Sequence, residues 1–204
     1  LQPMCDIVEA LGVPILRIDG VEADDVIGTL AVAAAADGID VTISTSDKDF
    51  AQLVRPGIAL VNTMSGSRID SDQAVVDKYG VRADQIPCYL ALSGDAIDNI
   101  PGVPGIGAKT AAALLAHFGD LETLLARVDE VPFLRLRGAR QTAARLREHA
   151  AQARLCRQLT TIALDVPLGA AIVPFHRGVA DAGQLGALCE RLRFGPLTRR
   201  RLQM

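Results

Sequence analysis

The first hundred residues alternate short apolar runs with helical patterns. Residues 14–18, 40–44 and 58–62 are short aliphatic runs that predict three strands. A helix is predicted at residues 23–36, between the first two runs, and a short helix near residues 49–54, between the second and the third. This alternation predicts an α/β fold with a parallel sheet and crossover helices.

The rest of the chain is predicted to be mostly helical. Ser71 or Asp72 is a candidate cap and Gly80 a stop signal for a helix over residues 71–80. Further helices are predicted near residues 87–93, 108–118, 121–127, 138–159 and 182–192. Residues 166–178, with two prolines and two glycines, predict an extended connection. We therefore expect an α/β core over residues 1–94 and a helical region over residues 95–204.

Composition excludes several classes of protein. Half of the 204 residues are hydrophobic, which is enough for a buried core. The longest apolar run, residues 26–36, is too short for a membrane span, and no secretion signal is seen, so a cytoplasmic protein without a membrane partner is expected. The four cysteines form no C-x-x-C pair, which predicts free thiols and no zinc site.

Charge divides unevenly between the two halves of the chain. Residues 1–100 carry 16 acidic and 6 basic side chains, whereas residues 101–204 carry 8 acidic and 15 basic ones. The asymmetry favours an acidic part that holds metal and a basic part that meets a nucleic acid backbone. An arginine-rich, solvated helical surface explains the basic half equally well.

Three acidic clusters occur in the first hundred residues. They are Glu22, Asp24 and Asp25; Asp47 and Asp49; and Asp95 and Asp98. The first two clusters follow predicted strands, where the ligand crevice of a parallel sheet lies. Seven converging carboxylates need neutralising, so convergence would imply bound Mg²⁺ or Mn²⁺, which prefer oxygen ligands.

Each acidic cluster also has a purely structural explanation when it is taken alone. Acidic residues stabilise helix N-termini, and Asp47 or Asp98 could cap a helix or shape a turn. The joint occurrence favours a metal site, because Asp98 stands four residues before Gly102 at the start of a glycine-rich segment.

That segment, residues 99–110, reads Asn-Ile-Pro-Gly-Val-Pro-Gly-Ile-Gly-Ala-Lys-Thr and resembles the helix-hairpin-helix signature. In such a motif a tight turn exposes backbone N–H groups at the start of the second helix, where they suit a phosphate. The expected DNA-binding residues are Gly102, Gly105, Gly107, Lys109 and Thr110. An ordinary glycine-rich connection between two helices is the structural alternative. The low aromatic content argues against a single-strand binder built on stacking.

Three motifs together resemble the flap endonuclease family, in particular the 5′–3′ exonuclease domain of bacterial DNA polymerase I. They are residues 21–28 (Val-Glu-Ala-Asp-Asp-Val-Ile-Gly), residues 43–53 (Ile-Ser-Thr-Ser-Asp-Lys-Asp-Phe-Ala-Gln-Leu) and residues 90–107, which end in the hairpin. The resemblance covers nearly the whole chain, with weaker matches at residues 133–140 and 157–167.

The resemblance implies a PIN-like nuclease core, a helical DNA-binding region and cleavage of DNA at a 5′ end or 5′ flap, as in the removal of RNA primers. It implies that Glu22 and Asp24 help hold a first metal ion, with Asp25 nearby. Asp47, Asp49 and Asp95 would hold a second ion, supported by Asp98. Two ions about 4 Å apart would serve phosphodiester hydrolysis. It also implies K⁺ at the main-chain carbonyls of Val103 and Ile106, a polymerase domain in the same full-length chain, and a nucleoid-associated protein of replication and repair.

The chain departs from the family pattern in three places. Cys88 stands where aspartate is frequent and Ile97 where serine is usual, and for both we expect tuning only. The family begins with a strand that carries a metal-binding aspartate, followed by a second aspartate and a basic helical arch, all upstream of residue 1. Residues 1–4 are typical of the middle of a helix. We therefore expect an incomplete copy of the domain, weak occupancy of the first metal site, and a second site that can survive.

Two other functions stay open at the level of sequence. A non-catalytic module that grips duplex DNA through the hairpin is favoured by the missing ligands. A PIN-type RNase shares the acidic core, but it leaves the hairpin unexplained.

Overall fold

The computed structural model of the chain describes residues 2–169 and 176–202. Its strands are β1 (Val41–Ser44), β2 (Ile58–Asn62) and β3 (Ser67–Ile69). Its helices are α1 (Gln2–Ala10), α2 (Ala23–Ala36), α3 (Asp72–Tyr79), α4 (Ile86–Ser93), α5 (Ala108–Phe118), α6 (Leu121–Ala126), α7 (Ala139–Glu148), α8 (Ala150–Thr160), α9 (Ala182–Arg191) and α10 (Pro196–Leu202). Short 3₁₀ helices cover Asp49–Leu53, Ala83–Gln85 and Val128–Phe133.

The chain divides into two compact units. The larger unit, Glu22–Val166, contains the sheet and helices α2 to α8. The smaller unit joins Leu1–Val21 to Pro167–Met204 and contains α1, α9 and α10. In the smaller unit Ala10 packs with Leu185 and Leu188, and the Asp181 N–H donates to the Ala10 carbonyl at 2.8 Å. The predicted boundary between residues 94 and 95 stays a prediction.

The sheet is mixed, with strand order β1-β2-β3. β1 and β2 are parallel, with Val41 opposite Ile58 and Ser44 opposite Val61. β3 pairs antiparallel with β2, and the sequence did not predict it. An antiparallel strand on a parallel pair is common in α/β folds. The α/β core with a following helical region is therefore confirmed, while the expectation of a purely parallel sheet is corrected.

Local chemistry sets several helix ends where the sequence placed them. The Ser71 hydroxyl accepts a hydrogen bond from the Ala74 N–H at the start of α3, and Gly80 ends that helix with φ 77°. Asp120 caps α6 in the same way, through the Thr123 N–H. A polar side chain at the cap satisfies a backbone donor that the first turn of a helix leaves without a partner.

Two sequence predictions about elements are wrong. Residues 14–18 form no strand, and they pair with none of the three strands of the sheet. A β-branched run needs a hydrogen-bonding neighbour to become a strand, and sequence composition cannot supply one. The long helix predicted over residues 138–159 is two helices, α7 and α8, that meet at His149 with φ −104° and ψ 18°. The connection predicted over residues 166–178 lies partly outside the described residues.

The core of the larger unit lies between the sheet and the helices. Its fully buried side chains include Leu53, Leu90, Leu114, Leu121 and Leu146, which come from five different elements. All four cysteines carry free thiols, as predicted. Over residues 2–169 and 176–202, no helix has the length and apolar character required to span a bilayer.

Candidate functional site

An acidic cavity of about 290 Å³ opens in the larger unit. Six of the seven candidate carboxylates line it: Glu22, Asp24, Asp25, Asp47, Asp49 and Asp98. The remaining wall is formed by Ile100 and by residues 159–162 at the end of α8. The structure therefore brings together acidic residues that are up to 76 positions apart in the chain.

The first cluster stands at the start of α2. Glu22 occupies the N-cap position, but its side chain makes no capping hydrogen bond, so a capping role does not account for it. Asp24 and Asp25 lie in the first turn, where the helix dipole favours negative charge. Asp25 differs from its neighbours because its Oδ1 accepts a hydrogen bond from the Ala163 N–H at 2.8 Å.

The second cluster follows the carboxyl end of β1. The Asp47 N–H donates to the Thr45 hydroxyl at 3.0 Å, and Asp47 Oδ1 accepts from the Asp49 N–H at 3.0 Å. This tight local geometry turns the chain directly into the 3₁₀ helix Asp49–Leu53. Both carboxylates are half-buried and line the cavity.

The third cluster lies on a turn closed by two backbone hydrogen bonds. The Asp95 N–H donates to the Ile100 carbonyl at 2.8 Å, and the Ile100 N–H donates to the Asp95 carbonyl at 2.7 Å. Asp95 is buried, with 3% of its surface exposed, while Asp98 near the tip of the turn is exposed. Ile97 is 89% exposed at this tip, so its replacement of the usual serine leaves the core untouched.

Lys48 supplies the one positive charge found among the three clusters in the described part of the chain. Its Nζ lies 2.7 Å from Asp95 Oδ2, whose side chain is almost fully buried. Asp95 Oδ2 therefore has a charge partner, but it accepts no hydrogen bond from any of the described residues. Sequence reasoning missed this pairing, although Lys48 stands between two predicted ligands.

The pKa values show that the cavity disfavours the ionised form of several of its carboxylates. Burial, followed by the charges of Asp47, Asp98 and Asp95, raises the pKa of Asp49 to about 7. Burial and neighbouring carboxylates also raise the pKa of Asp24 and that of Asp98. Asp95 is the exception: burial acts to raise its pKa, but Lys48 and the Ile97 N–H outweigh burial and lower it.

These residues fit a hard divalent cation. Asp47, Asp49 and Asp98 each offer a carboxylate oxygen, and the three oxygens lie within 4.8 Å of one another. Asp49 Oδ1 is buried and has no hydrogen-bond partner among the described residues. An all-oxygen set of ionisable ligands with an unsatisfied buried oxygen is the chemistry that Mg²⁺ and Mn²⁺ require.

The glycine-rich segment forms a tight hairpin between α4 and α5. Gly102 has φ 65°, and a Cβ atom at this residue would lie 2.4 Å from the Gly94 backbone nitrogen. Gly105 has φ 74°, and the Arg145 guanidinium occupies the space that its side chain would need. Both positions favour glycine because of their positive φ, and at Gly102 the close backbone of Gly94 adds a second reason, whereas the Arg145 side chain beside Gly105 can move.

The amide groups at the start of α5 suit an anion. The Thr110 and Ala111 N–H groups both donate to the carbonyl of Gly107, the N-cap residue. The Ala108 and Lys109 N–H groups precede the first bonded turn and have no intrahelical acceptor. Lys109 is exposed and Thr110 half-buried beside them, so a helix N-terminus and an exposed lysine are presented together.

The carbonyl groups of Val103 and Ile106 are the predicted potassium ligands. Both side chains are buried, and the Ile106 N–H donates to the Val103 carbonyl at 3.0 Å. The neighbouring Gly102 carbonyl accepts from the Gln152 side chain at 2.6 Å, which ties the hairpin to α8. The hairpin backbone is thereby fixed, and a role for K⁺ stays a prediction.

The basic half of the chain is partly neutralised by its own acids. Arg127 pairs with Glu130, Arg147 with Asp129, and Arg154 with Glu122. Exposed pairs of this kind contribute little to stability, and they lower the charge available to DNA. Arginine content alone therefore overstates the cationic surface.

Residues 160–162 also belong to the site, although sequence reasoning gave them no role. Gln52 donates to the Thr160 carbonyl at 2.9 Å and accepts from the Ile162 N–H at 3.0 Å. Gln52 lies in the motif at residues 43–53, and residues 160–162 lie in the weaker match at residues 157–167. The resemblance of these segments to the family was the sequence signal that could have identified them.

The chain matches two descriptions of one family. Residues 1–80 match "5'-3' exonuclease, N-terminal resolvase-like domain", and residues 81–182 match "5'-3' exonuclease, C-terminal SAM fold". A DNA polymerase I of Pseudomonas aeruginosa is 51% identical over 195 residues, which cover 95% of this chain and 21% of that protein. A 5'-3' exonuclease of Buchnera aphidicola is 37% identical over 168 residues, which cover 82% of this chain and 58% of that protein.

Solved structures share the fold at low sequence identity. A zinc-bound T5 5'-exonuclease matches with a TM-score of 0.63 and 18% identity, over 93% of this chain and 60% of that chain. The catalytic core of Rad2 in complex with DNA matches with a TM-score of 0.66 and 15% identity, over 100% of this chain and 67% of that chain. These similarities confirm the predicted fold class. The chain spans about a fifth of the DNA polymerase I relative.

Proposed function

Because this chain belongs to the 5′–3′ exonuclease family, we propose that it hydrolyses phosphodiester bonds of DNA at a 5′ end or a 5′ flap, with the help of divalent cations. The observation that carries the proposal is the convergence of three separate acidic clusters on one cavity beside the hairpin. The names of the relatives, DNA polymerase I and 5'-3' exonuclease, support the substrate class.

Two groups of carboxylates would hold the cations. Asp47, Asp49 and Asp98 form one group, with Asp95 behind them and Lys48 as its charge partner. Glu22 and Asp24 form the other group at the start of α2. Mg²⁺ or Mn²⁺, when bound, stabilises negative charge on the reacting phosphate and makes a water molecule more acidic.

The residues of the chain prepare the site for this chemistry. The pKa of Asp49 is raised to about 7 because burial and three neighbouring carboxylates outweigh the charge of Lys48, so a bound cation would favour its ionised form. The hairpin amides and Lys109 would hold the sugar–phosphate backbone without reading bases. A potassium ion at the carbonyls of Val103 and Ile106 would brace this contact.

The relatives also suggest a partner domain and a cellular location for this chain. DNA polymerase I relatives are much longer than this chain, which supports a polymerase domain as a partner within one polypeptide. A protein that acts on DNA in replication and repair would work in the cytoplasm at the nucleoid.

Incubation with a 5′-flap duplex and Mg²⁺ tests the proposal. We expect cleavage that EDTA abolishes and that Asp47→Ala and Asp95→Ala reduce by at least about a hundredfold, since each removes a charge that supports the cations. Asp40→Ala is the matched control, because Asp40 is exposed and precedes β1, at the end of the strand opposite Asp47. Cleavage that persists unchanged in both site variants would refute these roles.

A second candidate function is a duplex-binding module without nuclease activity. It is favoured by the hairpin, which is fully formed in this chain, and by the exposed Lys109. It predicts salt-sensitive duplex binding without metal-dependent cleavage. Lys109→Ala should weaken binding and reduce the salt slope by about 1.

Arg127→Ala is the control for this experiment, because Arg127 lies beyond the opposite end of the 11-residue helix α5. Fluorescence anisotropy over a salt series measures both variants. Binding that is indifferent to salt and to Lys109 would exclude the module.

A further inference from the structure

Asp25 lines the acidic cavity together with Glu22 and Asp24, and it also lies on a face of α2 that contacts another segment of the chain. In an α-helix, residues three and four apart share a face, so Asp25 lies on the same face as Gly28 and Thr29. Asp24, one residue earlier, is rotated by about 100° around the helix axis. The two adjacent carboxylates therefore both line the cavity, but they lie on different faces of α2.

The face that contains Asp25 holds residues 160–166, which we call the strap. Asp25 Oδ1 accepts from the Ala163 N–H at 2.8 Å. The Thr29 hydroxyl donates to the Ala163 carbonyl and accepts from the Val166 N–H, both at 3.3 Å. Two side chains on one helix face thus satisfy three backbone groups at positions 163 and 166, beyond the end of α8, groups that would otherwise be partly buried without partners.

Gln52 fixes the beginning of the strap. Its side chain donates to the Thr160 carbonyl at 2.9 Å and accepts from the Ile162 N–H at 3.0 Å. The same amide nitrogen donates to the Asp49 carbonyl at 2.8 Å. The strap is therefore attached to the short helix that carries one of the predicted metal ligands.

Close packing leaves the strap little freedom on this side. A Cβ atom at Gly28 would lie 2.6 Å from Ile162 Cγ2 and 3.0 Å from Leu164 Cδ2. Glycine at this position allows the strap to lie directly on the backbone of α2. Thr160 and Ile162, at the near end of the strap, line the acidic cavity.

We propose that Asp25 is a positioning residue that holds the strap, and with it one wall of the acidic cavity, through the Ala163 N–H, and that it is not a metal ligand. The resemblance placed Asp25 near the first metal, and Asp25 does line the cavity. Its Oδ1 is nevertheless occupied by the Ala163 N–H, and Asp25 is outside the group of Asp47, Asp49 and Asp98, whose carboxylate oxygens lie within 4.8 Å of one another. The inference rests on the proposed function only in taking the cavity to bind divalent cations.

Two substitutions of Asp25 separate the roles. Asn retains an oxygen that can accept from the Ala163 N–H, but it lacks the charge of a carboxylate ligand. Hydrogen–deuterium exchange measures the protection of the Ala163 amide, and Mn²⁺ titration followed by electron paramagnetic resonance measures metal binding. In Asp25→Ala we expect Ala163 to exchange at least about tenfold faster, since a hydrogen bond to a charged acceptor is lost. In Asp25→Asn we expect protection within about threefold and Mn²⁺ affinity within about threefold of the wild type.

Two control variants calibrate these readouts. Thr29→Val removes the neighbouring contacts of the strap without removing a carboxylate, so Val166 should exchange faster while Mn²⁺ affinity stays unchanged. Asp49→Asn removes a predicted ligand and should weaken Mn²⁺ binding by at least about tenfold, with Ala163 protected as in the wild type.

Each outcome decides the proposal. If Asp25→Asn weakens Mn²⁺ binding as much as Asp49→Asn does, Asp25 is a ligand and the proposal is overturned. If Asp25→Ala leaves the exchange of Ala163 unchanged, Asp25 does not hold the strap. A wild-type chain that binds no Mn²⁺ would refute the proposed function, while the exchange data would still decide what Asp25 holds.

Discussion

At the scale of single residues, burial and neighbouring charges in the acidic cavity raise the pKa values of Asp24, Asp49 and Asp98. Asp49 shows this most clearly, with a pKa raised from 3.8 to about 7 by burial and by neighbouring acids. A carboxyl group with a raised pKa stabilises the fold fully below the pKa of the unfolded chain, near 4, and this stabilisation is lost as the pH rises through about 7.

The loss of this stabilisation with rising pH gives a prediction for the metal-free protein. In EDTA the melting temperature of Asp49→Asn relative to the wild type should rise between about pH 5.5 and about pH 8, because only the wild type must bury an additional charge. Mg²⁺ at about pH 8 should stabilise the wild type more than the variant. Thermal melts at the two pH values measure both effects. A difference between the two proteins that does not depend on pH would contradict the assignment.

Lys48 gives a second prediction at this scale. Lys48→Met leaves the buried Asp95 oxygen without its charge partner, so unfolding in urea with EDTA should show a loss of about 1–3 kcal/mol. Mg²⁺ should recover more stability in this variant than in the wild type, because a cation replaces the ammonium group. Lys78→Met, at an exposed lysine on α3, is the control. Equal recovery in Lys48→Met and in the wild type would show that the ammonium is not a substitute for metal.

At the scale of elements, the hairpin depends on glycine for two separable reasons. Gly102 combines φ 65° with a close approach to Gly94, whereas Gly66 has φ 71° and open space around the missing Cβ. Gly66→Ala should therefore cost about 1 kcal/mol, from the left-handed backbone alone.

Gly102→Ala should cost more, at least about 2–3 kcal/mol, because strain is added to the conformational cost. It should also weaken duplex binding, since the amides at the start of α5 depend on the turn. Urea denaturation of both variants tests the comparison. Equal losses at the two glycines would show that the approach to Gly94 imposes no constraint.

Elements were predictable where their ends depend on local chemistry. The bounds of α2 and α5 match the sequence prediction, and the caps of α3 were recognisable from Ser71 and Gly80. The prediction of a strand at residues 14–18 was wrong because a strand requires a partner that local sequence does not specify. The break at His149 was not predicted because neither proline nor glycine marks it. β3 was not predicted because it is only three residues long.

At the scale of the whole molecule, the convergence of the acids was predicted from acids that follow successive strands of one sheet. This reason holds for Asp47 and Asp49 after β1 but not for the first cluster, because residues 14–18 form no strand. The start of α2 positions the first cluster instead, and the turn at Asp95 positions the third. The contacts of Lys48, Gln52 and Asp25 were not predictable, because they join side chains to segments that meet only in the folded chain. Those contacts set the charge balance and the wall of the cavity.

The central claim is that carboxylates distant in sequence share divalent cations in one cavity, and anomalous diffraction from crystals containing Mn²⁺ tests it most directly. The account predicts an anomalous peak within about 2.5 Å of carboxylate oxygens of Asp47, Asp49 and Asp98, and its loss in Asp49→Asn. A peak elsewhere on the molecule, with none in the acidic cavity, would contradict it.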